Sequence, residues 1–189
     1  MFEKIYRLFF RINRILRARF FYYLGQPNFY RCGRGSKIFG WKNISVGKKV
    51  VIGDFCWIEA VMTYGVQIFN PKIIIGDNVA ISDFTHISSA QKICIDSGCL
   101  LGSKIYIGDH SHGSVKSSLQ LSLEPGGRPL ENIEEIYIGK NTWIGDGVVI
   151  LAGTKLADSC VVAANSVVKL KVDRPAIIAG NPAIIVRYL

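Results

Sequence analysis

The sequence predicts an all-β protein built as a parallel solenoid, with a short amphipathic helix in front and one loop protruding from the coils. Three observations predict it: an aliphatic residue returns every six positions, a small or β-branched residue follows four places after it, and Gly, Asp and Asn gather between them. The clearest run is Ile138, Ile144, Ile150, Leu156, Val162 and Val168, accompanied by Thr142, Val148, Thr154, Cys160 and Ser166. A helix repeats at 3.6 and a strand at 2, so six is three strand periods, and both members of each pair face inward. Three such sides close a triangular coil of about 18 residues, and stacked coils bury a continuous aliphatic column. Residues between the inward pairs turn corners, where glycine's freedom and Asp/Asn turn chemistry help.

Along the chain, the first element is helical. Phe2, Ile5, Phe9, Ile12, Leu16 and Phe20 recur at three or four places, with Lys4, Arg7, Arg11, Arg14 and Arg17 on the other face. Two readings stay open: a helix lying on a membrane surface through residues 1–24, or a cap over the open end of the prism. Gly25-Gln26-Pro27-Asn28 ends the helix, and residues 1–37 make up helix and linker. The solenoid occupies 38–189. Its repeat appears in blocks: Val46-Ile52-Ile58, Ile75-Ile81-Ile87, then Ile95-Leu101-Ile107 after a two-residue insertion. Phase is lost after Ile107 and regained at Ile138, which predicts an inserted loop over 113–136. A tail, 169–189, closes the chain.

The 189 residues fit one domain, and 23 Lys+Arg against 14 Asp+Glu give a net charge of +9, pointing to an anionic partner. Nucleic acid fits poorly, because the basic run is confined to the helix and a solenoid offers no groove reader. No stretch is long and apolar enough for a transmembrane helix, and Arg and Lys interrupt the opening run as they would not in a cleavable signal. Five cysteines, odd in number and without a CxxC pair, read as reduced thiols in a cytoplasmic protein. The helix adds a peripheral position at the inner face of the cell membrane as a second reading of location.

Ile138-Gly139-Lys140-Asn141-Thr142-Trp143-Ile144-Gly145, followed by Ala179-Gly180-Asn181-Pro182-Ala183, resembles the hexapeptide-repeat acyltransferases, in particular the galactoside, maltose and polysaccharide O-acetyltransferase branch. The resemblance covers roughly 38–189 and implies a left-handed parallel β-helix, although the usual rule for parallel crossovers is right-handed. It also implies a homotrimer, acetyl-CoA as co-substrate, a saccharide acceptor, and one histidine acting as general base in a direct attack. Matched residue by residue, it places Trp143, Asp146 and Ala164 along the pantetheine groove and Lys169 and Arg187 near the phosphates. The tail reads Pro182-Ala183-Ile184 where the family commonly has Pro-Ala-Lys, so a usual phosphate contact is missing: either Lys171 or Arg174 substitutes for it or the affinity is lower.

The base lies where the coil breaks, at Gly108-Asp109-His110-Ser111-His112-Gly113. Imidazole titrates near neutral pH and can take a proton from a sugar hydroxyl as it attacks a thioester. His112, five places after Ile107, matches the family's base in the galactoside enzymes, so the resemblance implies His112 first; relatives that carry a His-X-His sequence imply His110 instead. Asp109 either orients a ring or is an ordinary corner residue. His86 reads as a corner or surface residue, and no metal is expected. The function expected is O-acetylation of a surface polysaccharide or its precursor. The alternatives are N-acetylation of an amino-sugar nucleotide and a non-catalytic trimeric scaffold at the membrane.

Overall fold

The computed structural model describes residues 2–189; Met1, the first residue of the expected helical segment, lies outside the described residues. Three parallel sheets form the sides of a prism, of eight, six and six strands among the described residues. The first sheet begins with Arg31–Cys32, the second with Lys37–Phe39 and the third with Ile44–Val46, and each turn of the chain adds one strand to each. The eighth strand of the first sheet, Ala183–Tyr188, folds back antiparallel on Ala176–Gly180 and closes the far end.

The six-residue period is the register of these sheets. Ile52, Ile81, Leu101, Ile144 and Val162 stack as direct partners in the first sheet. Ile58, Ile87, Ile107, Ile150 and Val168 do so in the second. Ile75, Ile95, Ile138, Leu156 and Val172 form the third column. All are buried, as are the smaller Thr142, Val148, Thr154, Cys160 and Ser166 between them. The expected column is therefore the core, and its cysteines are part of it. Burial pushes the Cys99 thiol up to about 11, so it is a core group and not a thiolate.

Corners are held by two devices. Asn78, Asn141 and Asn165 adopt positive φ, a conformation asparagine tolerates, and their N–H groups bond to the carbonyls of Lys48, Ser97 and Asp146 in the neighbouring coil. Corner aspartates accept backbone N–H groups from the coil before: Asp77 from Lys48, Asp83 from Asp54, Asp146 from Ser103, Asp158 from Lys140. These corner aspartates are thus stitching between coils.

Every interruption of the repeat falls at one corner, between the second and third sheets. There the chain makes a 3-10 turn at Trp41–Asn43 and a hairpin of Thr63–Tyr64 with Gln67–Ile68. One coil later it widens by the two residues already visible as a phase slip between Ile87 and Ile95, and after Gly108 it leaves for the long excursion. That excursion is an ordered hairpin. Ser111–His112 pairs antiparallel with Leu130–Glu131, a short helix at Ser118–Leu121 is capped by Ser117, and Ile136 already belongs to the third sheet. The two hairpins are tied by Gln67, whose amide accepts from Leu130 N–H (2.7 Å) and donates to its carbonyl (3.1 Å). Val61, Ala90 and Leu130 bury a small second core beneath them.

The helix Phe2–Tyr23 docks on the first coil through its later half. Ala18 is buried with Phe29, Arg17 donates to the Cys32 carbonyl (3.1 Å), and Arg14 meets Asp54 (2.9 Å) and Asp83 (3.6 Å).

Candidate active site

The corner that carries the interruptions assembles a buried carboxylate and two histidines. Asp109 is fully buried and accepts from four groups of the preceding coil: Ser89 Oγ (2.6 Å) and the N–H groups of Ala90 (2.7 Å), Gln91 (2.9 Å) and Lys92 (2.8 Å). These N–H groups point inward because the two-residue widening after Ile87 turns the backbone there. Burial pushes the Asp109 carboxyl up, but hydrogen bonds from His110, Ser89, Ala90 and Gln91 together outweigh it and hold the group below its ordinary 3.8. Asp109 is therefore ionised at neutral pH.

His110 Nδ1 lies 3.0 Å from Asp109 Oδ1, with only 7% of its side chain exposed. An ionised carboxylate can only accept, so Nδ1 carries the proton and Nε2 is left with its lone pair. His112 is different. It is exposed on the strand Ser111–His112, its ring edge-on to Tyr64 at 5.1 Å and 6.5 Å from that of His110. The carboxylate stands behind His110. Tyr64 in turn donates to the Gly126 carbonyl (2.6 Å) and walls a hollow of about 290 Å³ between Tyr64–Gln67 and Gly126–Pro129.

His86, read from the sequence as a corner or surface residue, sits on the outer face of the second sheet, one strand from Tyr106. It stacks on Trp57 (4.5 Å) and meets Tyr106 edge-on (5.4 Å). Burial, and secondly the charge of His110, lower its pKa below 6.5. The sign follows: the unfolded chain takes a proton near 6.5 and the folded one only at lower pH. Stability from neutral His86 is thus full above 6.5 and is lost as pH falls through that window. The denaturation midpoint is expected to drop between pH 7.5 and pH 5, and His86→Gln should flatten that drop in a urea titration.

The residues expected to hold acetyl-CoA are spread over the prism. Trp143 is exposed on the first sheet beside Leu100 and Val161. Asp146 and Ala164 follow one above the other at the corner between the first and second sheets. Lys169 is at the histidine corner, 3.8 Å from Glu134 of the excursion, while Lys171 is on the third sheet beside Lys155. Arg187 is on the terminal strand opposite Ile177, and the Arg174 guanidinium lies over the Tyr188 ring at 4.0 Å. The structure brings together Asp109, His110 and His112, and leaves the first-sheet residues at another corner of the same chain. Sequence reasoning missed Ser89, the Ala90–Lys92 turn and the Tyr64 hairpin; the phase slip after Ile87 was the available signal.

Residues 135–169 match the family model described as bacterial transferase hexapeptide (six repeats). A dTDP-4-amino-4,6-dideoxy-D-glucose acyltransferase of Escherichia coli is 30% identical over 155 residues, covering 78% of this chain and 73% of that protein. The chain belongs to the hexapeptide-repeat acyltransferases. A further relative, WbbJ of Escherichia coli (strain K12), named as a lipopolysaccharide biosynthesis O-acetyl transferase, is 39% identical over 118 residues. That match covers 61% of this chain, and the chain spans 60% of WbbJ's length. Among solved structures, a hexapeptide-repeat acetyltransferase of Vibrio cholerae O1 biovar eltor, complexed with acetyl coenzyme A, superposes with a TM-score of 0.54 at 26% identity. It covers 82% of this chain and 72% of its own. The fold is the left-handed parallel β-helix of this family.

Proposed function

We propose that this hexapeptide-repeat acyltransferase moves an acetyl group from acetyl-CoA to a hydroxyl of a surface polysaccharide or its precursor, with His110 as general base. The observation that carries the reading is the His110–Asp109 pair at the interrupted corner, in a chain whose relatives are named for acyl and O-acetyl transfer. His110 Nε2 takes the hydroxyl proton as the oxygen attacks the thioester carbonyl carbon. The C–S bond then breaks, and the proton passes to the departing CoA sulfur. Asp109 holds the ring in the tautomer this requires and stabilises the imidazolium formed in between. His112 and Tyr64 stand on the acceptor side, beside the hollow that the two hairpins enclose.

The cofactor groove of Trp143, Asp146 and Ala164 and the basic groups Lys169, Lys171 and Arg187 complete the reading. Asp146 and Ala164 occupy a different corner from His110, so a site containing both sets is finished by a neighbouring copy, and we propose a homotrimer. The free, largely buried cysteines support a reducing compartment, and we place the protein in the cytoplasm. A second reading, N-acylation of an amino-sugar nucleotide, is favoured by the name of the relative that is 30% identical.

Purified protein with acetyl-CoA should release CoA thiol only when a saccharide acceptor is added. Mass spectrometry of surface glycans should show one acetyl group fewer in cells lacking the protein. Transfer only to amino sugars selects the second reading. No acceptor-dependent release with hydroxyl or amino acceptors rules out both.

A further inference from the structure

The amphipathic helix is mounted the unusual way round. A helix on a protein surface normally turns its apolar stripe to the core and its charges to water. Here the side that meets the prism is carried by Arg14, paired with Asp54 and Asp83, Arg17, which reaches the Cys32 carbonyl, and Ala18 and Phe21, which pack on the core. Phe2, Ile5, Phe9, Ile12, Leu16 and Phe20 run along the opposite face at spacings of three and four, and remain 46–84% exposed. This apolar stripe contributes nothing to capping the solenoid. It runs along a helix roughly 33 Å long, at 1.5 Å per residue, and no helix among the described residues is long and apolar enough to cross a membrane.

We propose that this stripe is a membrane-docking surface that lies in the interface of an anionic phospholipid bilayer. Charge complementarity selects that occupant. With Arg14 and Arg17 engaged on the prism and Arg7 paired with Glu3, the helix still presents exposed Lys4, Arg11 and Arg19, within a chain of net charge +9. Aromatic and aliphatic side chains enter the boundary between headgroups and acyl chains, Arg19 flanks them at headgroup level, and Lys4 and Arg11 add long-range attraction to an anionic surface from the far side of the helix. Because the helix docks on the first coil through its opposite side, the prism stands on the bilayer by that end. Tyr106 is three strand steps from Lys37 in the second sheet, about 14 Å at the usual strand spacing. The histidine corner is then held close to the membrane without being buried in it.

The test uses the full chain and needs no turnover, so it is independent of the transferase reading. Protein is floated with vesicles of phosphatidylglycerol and phosphatidylcholine, and with phosphatidylcholine alone. Binding to the anionic vesicles is expected, at least about tenfold weaker to the neutral ones and weakened by added salt. Phe9→Glu with Leu16→Glu should reduce anionic binding by about tenfold or more. Lys4→Gln with Arg11→Gln should reduce it by roughly tenfold while leaving neutral vesicles unaffected. All four side chains are exposed, and circular dichroism and light-scattering mass are recorded for each variant. Failure of the native protein to float, or equal flotation of the Phe9/Leu16 variant, overturns the proposal. So does loss of flotation together with oligomeric mass, since the stripe is then a contact between copies of this chain.

Discussion

Replacing His110 with Ala is expected to lower kcat by about 10²–10⁴-fold, the usual worth of a positioned general base. KM for acetyl-CoA should stay within a few-fold, because the ring is not among the groups assigned to the nucleotide or the pantetheine. His112→Ala is the control and should behave differently. Its ring is exposed, packs on Tyr64 and has no carboxylate behind it, so its loss should raise KM for the acceptor and lower kcat less than about tenfold. The measurement is initial-rate kinetics at saturating acetyl-CoA, with thiol release as the signal. Equal losses for both variants, or full activity in His110→Ala, would remove His110 from the role.

Asp109→Asn should be costly in two separable ways. Every group around the carboxylate is a donor: Ser89 Oγ, the N–H groups of Ala90, Gln91 and Lys92, and His110 Nδ1. An amide places its own NH₂ against some of them and leaves buried donors unpaired. The expected loss is about 2–4 kcal/mol, at 1–3 kcal/mol for each orphaned buried group. It should appear as a lower urea midpoint. The second cost is chemical. Without an anion on Nδ1 the ring loses its preferred tautomer and the stabilisation of its charged form, so kcat should fall by about 10²-fold or more even below the unfolding range. The pH–rate profile separates the two, since a merely structural aspartate would lower amplitude without moving the acid limb. In the native protein the carboxyl titrates below 3.8, so its contribution to stability is complete above that value and is lost as pH falls through the lower, folded-state pKa.

Mutating the corner aspartates offers a contrast. Asp146 accepts one N–H, from Ser103, as Asp77 and Asp158 do from Lys48 and Lys140. The sequence presents all of them as similar corner residues. Asp109 resembles them until the preceding coil is placed beside it, where one carboxylate gathers what is elsewhere divided among several.

By itself the sequence determined the solenoid, its inward columns from Val46 to Val168, its corners and the amphipathic helix. Each of these is a local pattern, and a six-residue period repeated coil after coil can satisfy only one register with its recurring Ile, Leu and Val inside. Only the tertiary structure decided which histidine has an oriented ring, because the groups that hold Asp109 come from Ser89–Lys92, some twenty residues earlier, and meet it only when the coils stack. It also decided that the Thr63–Ile68 hairpin braces the same corner, a contact between insertions with no periodicity to announce it. And it decided which face of the helix meets the prism. A wheel of residues shows that two faces differ, but not which one finds a partner; ion pairs with Asp54 and Asp83 on another element settled that the charged side turns inward and the apolar side out.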